Sequence, residues 1–177
     1  HGMPEELAMQ MPVMKDVLRA MNIPIYECQG WEADDVIGTV GRICSNNSWE
    51  CVIVTGDRDS LQLINENVHV KLVISRPGQT TATLYTKDKF QEEYGFEPIK
   101  LIDLKALMGD SSDNIPGVPG IGEKTATAIL QQFENVENAH AHLEEIKPKR
   151  AKENLEAHYD MALMSKKLAT IETNAPY

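Results

Sequence analysis

The sequence predicts a mixed α/β unit followed by an all-helical one, with the change falling near residues 95–109. Three observations predict it. "CVIVT" at 51–55 is a short, continuous, β-branched run bounded by polar residues, which is how a strand buried on both faces of a parallel sheet reads. A helical pattern and a polar loop lead into that run, and helix, loop, buried strand is half of a βαβ unit. From Gly109 onward only helical patterns remain. The units are placed at 1–96 and 97–177 of the 177 residues, a length that suffices for a sizeable core.

Residues 4–21 are expected to be helical. Leu7, Met11, Val13, Met14, Val17, Leu18 and Met21 approximate a 3.6-residue stripe behind two first-turn acids, Glu5 and Glu6. The methionines are read as core filler. His1 and Gly2 read as an expression remnant ahead of a start methionine and are left out of the fold. Residues 23–31 follow as a short extended segment. A second helix is expected over 33–44, with Val36, Ile37, Val40, Ile43 and Cys44 on its buried face and "SNNS" closing it. After the strand, 60–63 begin a helical turn. "VHVKLVI" at 68–74 and "TATLY" at 81–85 are strand-like and joined by "SRPGQT", which predicts a hairpin. A short helix over 87–94 is closed by Gly95, and Pro98 sits at a first helical position that opens a helix to 108. Helices over 122–133, 136–145 and 149–168 complete the chain.

Apolar content of 42% and charged content of 25% are those of an ordinary soluble protein. No apolar run approaches the roughly 18 residues of a membrane span, so no membrane partner is expected. Cys28, Cys44 and Cys51 have neither metal nor redox spacing, which points to a reducing, cytoplasmic home. His140 and His142, the close histidine pair, are not read as zinc ligands. The net charge of −10 speaks at first sight against a nucleic-acid partner. Seven acids fall in three clusters, however, and account for most of that charge. Basic runs lie at 147–150 and at Lys166-Lys167.

The first cluster, "WEADD", carries Glu32, Asp34 and Asp35 at the front of a helix. Capping and dipole complementarity favour acids there by roughly 0.3–1 kcal/mol, but three acids exceed what one cap requires. The second, "VTGDRDS", carries Asp57 and Asp59 just past the carboxyl end of the strand, where open α/β sheets bind ligands. On an extended segment Asp-X-Asp puts both carboxylates on one side; the competing reading is an ordinary aspartate turn. The third, "LMGDSSDNIPGVPGIGEKTA", carries Asp110 and Asp113. Two bare carboxylates about 4 Å apart repel by roughly 1 kcal/mol in water and about 4 kcal/mol at an effective dielectric of ~20. Converging acids therefore take up protons or bind cations. An all-oxygen donor set without His or Cys selects hard ions, Mg²⁺ or Mn²⁺, and a pair of these can clamp the attacking and leaving oxygens of a phosphodiester.

A helix to 108, a Gly/Pro hairpin and a helix from 122 form a helix-hairpin-helix layout. Gly120 and Gly122 are expected to take positive φ and let backbone approach a ligand. The new helix offers unsatisfied N–H groups and a positive dipole end, an anion site that suits DNA phosphate. Such contacts position a duplex without reading its sequence. Lys124 adds a cation. The plainer alternative is a Gly/Pro loop between packed helices.

"EADDVIGT", "VTGDRDSLQL" and "LMGDSSDNIPGVPGIGEKTA", in this order, with "KKLATIET" near the end, resemble the 5′-nuclease (flap endonuclease-like) domain at the front of bacterial DNA polymerase I. The resemblance covers the chain from Pro4 onward. It implies a PIN-like (resolvase-like) parallel-sheet domain followed by a SAM-like helix-hairpin-helix subdomain. It implies hydrolysis of a phosphodiester near a 5′ end or flap of duplex DNA, in replication and repair, in the bacterial cytoplasm, with polymerase domains in cis. Glu32 and Asp34 match acids of one metal site, and Asp57, Asp59 and Asp113 those of a second; these five form the implied catalytic set. Asp35 and Asp110 match further acids of the cluster. Gly117, Gly120, Ile121, Gly122, Lys124 and Thr125 match the hairpin that holds duplex phosphates, where relatives bind K⁺ through backbone carbonyls. Two divalent cations, Mg²⁺ or Mn²⁺, are the implied cofactors.

The chain departs from that pattern at its front. The family's first Asp-bearing strands and basic arch are missing, so the α/β unit is expected to lack its first strands and the fragment to be inactive or nearly so. An exposed sheet edge, open to dimerisation, is expected with it. One rival reading is a non-catalytic helix-hairpin-helix DNA-binding module with inert acids. A phosphatase, with an aspartyl nucleophile in the Asp-X-Asp pair, is another, but no Thr/Ser and Lys motifs follow downstream to complete it.

Overall fold

The computed structural model describes residues 3–176; His1, Gly2 and Tyr177 lie outside them. In chain order the elements are α1 (Glu5–Ala20), α2 (Ala33–Asn46), β1 (Cys51–Thr55), a 3₁₀ turn (Arg58–Leu63), β2 (Val68–Arg76), β3 (Gln79–Tyr85), α3 (Lys87–Tyr94), a second 3₁₀ turn (Pro98–Lys100), α4 (Leu101–Met108), α5 (Glu123–Phe133), α6 (Val136–Ala141), a third 3₁₀ turn (Leu143–Glu145), α7 (Lys149–Ala157) and α8 (Tyr159–Ala169).

The sheet runs β1-β2-β3. β1 pairs parallel with β2, Cys51 opposite Val68 and Thr55 opposite Leu72. β2 turns back on β3 with Arg76 opposite Gln79, a tight connection through Pro77 and Gly78 with Gly78 at φ 79°, as Pro-Gly turns favour. β1 is not buried on both faces as expected. Ile53 is buried, whereas Val52 and Val54 are 46% and 65% exposed. Elements cover only the inner face, and the far edge of β1 has no partner strand among the described residues.

α1 forms where its stripe predicts, yet it buries no residue. Its stripe stays largely at the surface rather than filling a core: Met9 and Met14 are exposed and Met11 and Leu18 only half-buried. α2 likewise differs from its predicted face. The residues it buries are Gly38, Thr39 and Gly41, and Val36, Ile37, Val40, Ile43 and Cys44 are half-buried. The reason is the chain's last segment, residues 170–176, which lies along α2. An added Cβ at Gly38 would stand 2.8 Å from Ile171 Cγ2. Thr39 Oγ1 accepts the Ala175 N–H at 3.0 Å, and Arg42 Nε donates to Thr173 O at 2.8 Å.

The helical half packs on α4, which buries Leu101, Ile102, Asp103, Leu104, Ala106 and Leu107. α8 presents the small residues Ala162, Ser165 and Ala169 to the interior, which lets helices approach closely. Asp103 is buried, accepts the Val136 N–H at 3.0 Å and pairs with Lys166 at 2.8 Å, tying α4, α6 and α8 together. Two expected helices are each divided. The 136–145 helix breaks at His142 and the 149–168 helix at His158, whose φ of −122° and ψ of 28° leave the helical region. Neither break carries Gly or Pro, so the apolar periodicity runs straight through it.

Candidate functional site

Three elements end at one place. α2 begins with the first acid cluster, the exit from β1 carries the second, and the connection from α4 to α5 carries the third. Glu32, Asp34, Asp35, Asp57, Asp59 and Asp113 line one cavity of about 300 Å³. Asp110 lines an adjoining cavity with Asp57, Asp59 and Asp113, and one carboxylate oxygen each from Asp59, Asp110 and Asp113 lies within 4.8 Å of the others. The tight trio thus includes Asp110 in place of the Asp57 that the resemblance groups with Asp59 and Asp113.

The local chemistry explains the difference. Asp57 caps the 3₁₀ turn, its Oδ1 accepting the Asp59 N–H at 2.8 Å, and Thr55 Oγ1 accepts the Asp57 N–H at 3.0 Å. Asp59 lies inside that turn rather than on an extended segment. The two aspartates share a side because the turn coils, not because a strand alternates. Asp110 forms a bridge with Ile115, N–H to O at 2.8 Å in both directions. Its Oδ1 also accepts the Ser112 N–H at 2.9 Å. This fold-back aims Asp110 and Asp113 at Asp59.

Asp35 has other work. Its Oδ2 accepts the Glu32 N–H at 3.3 Å, closing the start of α2, and its Oδ1 accepts the Glu172 N–H at 3.1 Å. It lines the cavity but fastens the C-terminal segment to α2. Gln62 does the same from the 3₁₀ turn, donating to Ala169 O and accepting from the Ile171 N–H, both at 2.9 Å.

The sequence reading missed Lys105. Its ammonium pairs with Asp59, with Asp110 at 2.8 Å and with Asp113 at 3.6 Å. The signal was a lone lysine in the apolar stretch of α4, five residues before Asp110. Asp110 is pulled down to about 2 by the hydrogen bonds from Lys105 and Ser112. Asp59, more enclosed, is pushed up: burial outweighs the same ammonium, with Asp57 and Asp113 adding repulsion. Asp34 is also pushed up, by burial and then by Asp57, Asp59, Glu32 and Asp35. Burial opposes the charge on Lys105, but hydrogen bonds to Asp110 and Asp59 raise its pKa on balance.

Beside the acids stands the hairpin. Gly109, Gly117 and Gly120 have φ of 74°, 64° and 77°. Gly122 does not take positive φ as expected; at φ −93° and ψ 176° it is the extended N-cap of α5, and an added Cβ there would meet nothing within 4 Å. The predicted hairpin residues divide in two. Gly117 and Ile121 are buried, and the Gly117 N–H donates to Ser165 Oγ at 3.0 Å, so both hold the loop's shape. Gly120, Gly122 and Lys124 are exposed and Thr125 is half-buried. They surround the α5 N-terminus, whose first-turn N–H groups have no helical acceptor.

Family models match both halves of this architecture. One, described as the N-terminal resolvase-like domain of 5′-3′ exonucleases, matches residues 1–95, and another, described as their C-terminal SAM fold, matches residues 96–177. The chain belongs to the 5′-3′ exonuclease family. It is 49% identical over 173 residues to DNA polymerase I of Bacillus caldotenax and 47% identical over 173 residues to that of Bacillus subtilis strain 168, each alignment covering 98% of this chain. It spans only 20% and 19% of those proteins. Among solved structures it matches T5 5′-exonuclease with bound divalent zinc at a TM-score of 0.77 and 25% identity, over 98% of this chain and 64% of that one.

The oxygen-only donor set of this exonuclease-family pocket fits a divalent cation. Six carboxylates share one cavity, and two of them, Asp34 and Asp59, resist ionisation there. A cation would relieve that repulsion.

Proposed function

We propose that this chain is the nuclease segment of a longer DNA polymerase and serves metal-assisted hydrolysis of a phosphodiester near a 5′ end or flap of duplex DNA. The observation that carries the reading is the gathering of Glu32, Asp34, Asp57, Asp59 and Asp113 on one cavity, with Asp110 completing a trio, beside a hairpin that exposes an α5 N-terminus. Bound divalent ions would supply an activated water and offset charge on the leaving oxygen. Asp59, Asp110 and Asp113 would hold one ion, and Glu32, Asp34 and Asp57 line the adjoining cavity with Asp59 and Asp113. T5 5′-exonuclease was solved with zinc; carboxylates alone favour harder ions, so Mg²⁺ or Mn²⁺ is the working choice here.

Gly120, Gly122 and the α5 N–H groups take a backbone phosphate, and Lys124 adds charge without reading sequence. K⁺ at the hairpin carbonyls belongs to the same proposal and would show as K⁺-dependent DNA binding. The open β1 edge is where a second copy would add a strand, an association that Val54→Lys would weaken in sedimentation.

The test is Mg²⁺-dependent cleavage of a labelled 5′-flap duplex by the polymerase-length protein, paired with calorimetric Mn²⁺ titration of this chain. Asp59→Ala and Asp113→Ala abolish cleavage and weaken Mn²⁺ binding. Duplex binding with no Mn²⁺ binding would leave the non-catalytic DNA-binding module as the correct reading.

A further inference from the structure

Lys105 already brings a cation to the acid trio. Its side chain is 12% exposed, against 20%, 24% and 52% for Asp59, Asp110 and Asp113, the three carboxylates it pairs with. Those are the same three whose oxygens lie within 4.8 Å of one another. One ammonium therefore stands where the trio's repulsion is greatest. Glu32, Asp34 and Asp57 make no ion pair among the described residues. The neutralisation is confined to the trio.

Resting on the metal-binding reading above, we propose that Lys105 is a positioning residue that holds Asp59, Asp110 and Asp113 together before metal arrives and competes with a divalent cation for them. A point charge on a flexible stem is suited to this, since an ammonium neutralises carboxylates without fixing their geometry. Room to withdraw is present. Lys105 lines a cavity of about 530 Å³ that starts at Asp59 and Asp110 and extends to Leu101, Met108 and Glu123, so the side chain can swing toward its far end, at Glu123, when an ion takes the carboxylates. The residue thereby lowers metal affinity and protects the fold of the metal-free protein from its own charge.

Mn²⁺ titration by calorimetry on this chain, with wild type, Lys105→Met, Lys105→Arg and Asp113→Ala, reads the competition directly. Lys105→Met is expected to bind Mn²⁺ about tenfold tighter or more, Lys105→Arg no tighter than wild type, and Asp113→Ala more weakly. Without metal, Lys105→Met melts lower than wild type, and saturating Mn²⁺ restores it. Wild type that binds while Lys105→Met binds equally or more weakly overturns the inference and leaves the metal reading standing. No Mn²⁺ binding by any of the four overturns both. A readout on the unmutated chain covers misfolding of the variants. Mass-spectrometric labelling with an amine-acylating reagent should rise at Lys105 when Mn²⁺ is added and stay level at Lys166, which is held by Asp103 and Glu137. No rise at Lys105 refutes displacement.

Discussion

Two glycines five residues apart should respond to the same substitution in opposite ways. Gly117 sits at φ 64°, and a Cβ there would fall 2.2 Å from Gly109 N and 2.6 Å from Gly109 Cα. The left-handed conformation alone costs a non-glycine residue roughly 1–2 kcal/mol. The obstructing atoms are backbone and cannot rotate away, so the loop must shift, at about 1–3 kcal/mol more. Gly117→Ala is therefore expected to lose about 2–5 kcal/mol. At about 2–4 °C per kcal/mol for a chain of this size, that lowers the melting temperature by about 4–20 °C. Gly122 has extended backbone and open space around the Cβ position. Gly122→Ala should cost at most about 1 kcal/mol, as a poorer N-cap. The added methyl instead faces whatever the α5 N-terminus binds. Losing one hydrogen bond to a charged phosphate, about 1.5–3 kcal/mol, weakens duplex binding on the order of 10- to 100-fold. Chemical denaturation and fluorescence-anisotropy titration with a labelled duplex measure the two effects. Gly117→Ala melting with wild type, or Gly122→Ala binding DNA as wild type does, would refute the reasoning.

Asp34→Asn should raise the metal-free melting temperature at pH 7, because the pocket holds Asp34 above its ordinary pKa and so disfavours its charge; the gain shrinks in acid as the wild-type carboxyl takes its proton, and calorimetric scans across pH follow both. The same variant should bind Mn²⁺ more weakly. Asp110 is depressed to about 2, so its contribution to stability is complete above its unfolded pKa of about 3.9 and is lost as pH falls through about 2. Carboxyl NMR should place its midpoint near 2 in the metal-free chain, and a midpoint near 4 would show that Lys105 and Ser112 do not hold it. Gln62→Leu leaves Ala169 O and the Ile171 N–H without their partner, at a cost of about 1–3 kcal/mol each when buried; amide exchange at Ile171 should speed up, and unchanged exchange would show that the C-terminal segment is held by other contacts.

The elements that carry punctuation were legible: β1, the Pro-Gly hairpin, α3 closed by Gly95 at φ 75°, and the helices on either side of 109–122. So was the gathering of the acids, because each cluster adjoins the end of an element that topology brings together. What the one-dimensional pattern could not show were partnerships across long separations. Residues 170–176 displace the predicted buried face of α2, and no spacing rule links Gly38 to Ile171. The largely exposed stripe of α1 and the exposed face of β1 read as core because periodicity records that a face is apolar, not how far anything covers it. Lys105 was hidden for the complementary reason. A lysine in an apolar helix reads as a side chain reaching for solvent, and it takes the turn that carries Asp59 and the fold-back of Asp110 onto Ile115 to put carboxylates where its ammonium ends. Two acids of the trio, Asp110 and Asp113, therefore come from the same α4–hairpin segment as their counter-ion, while the third, Asp59, comes from the turn after β1. A substitution that loosens that fold-back, such as one at Gly109 or Gly117, should disturb cation binding and phosphate docking together, whereas Gly122→Ala should disturb the second alone.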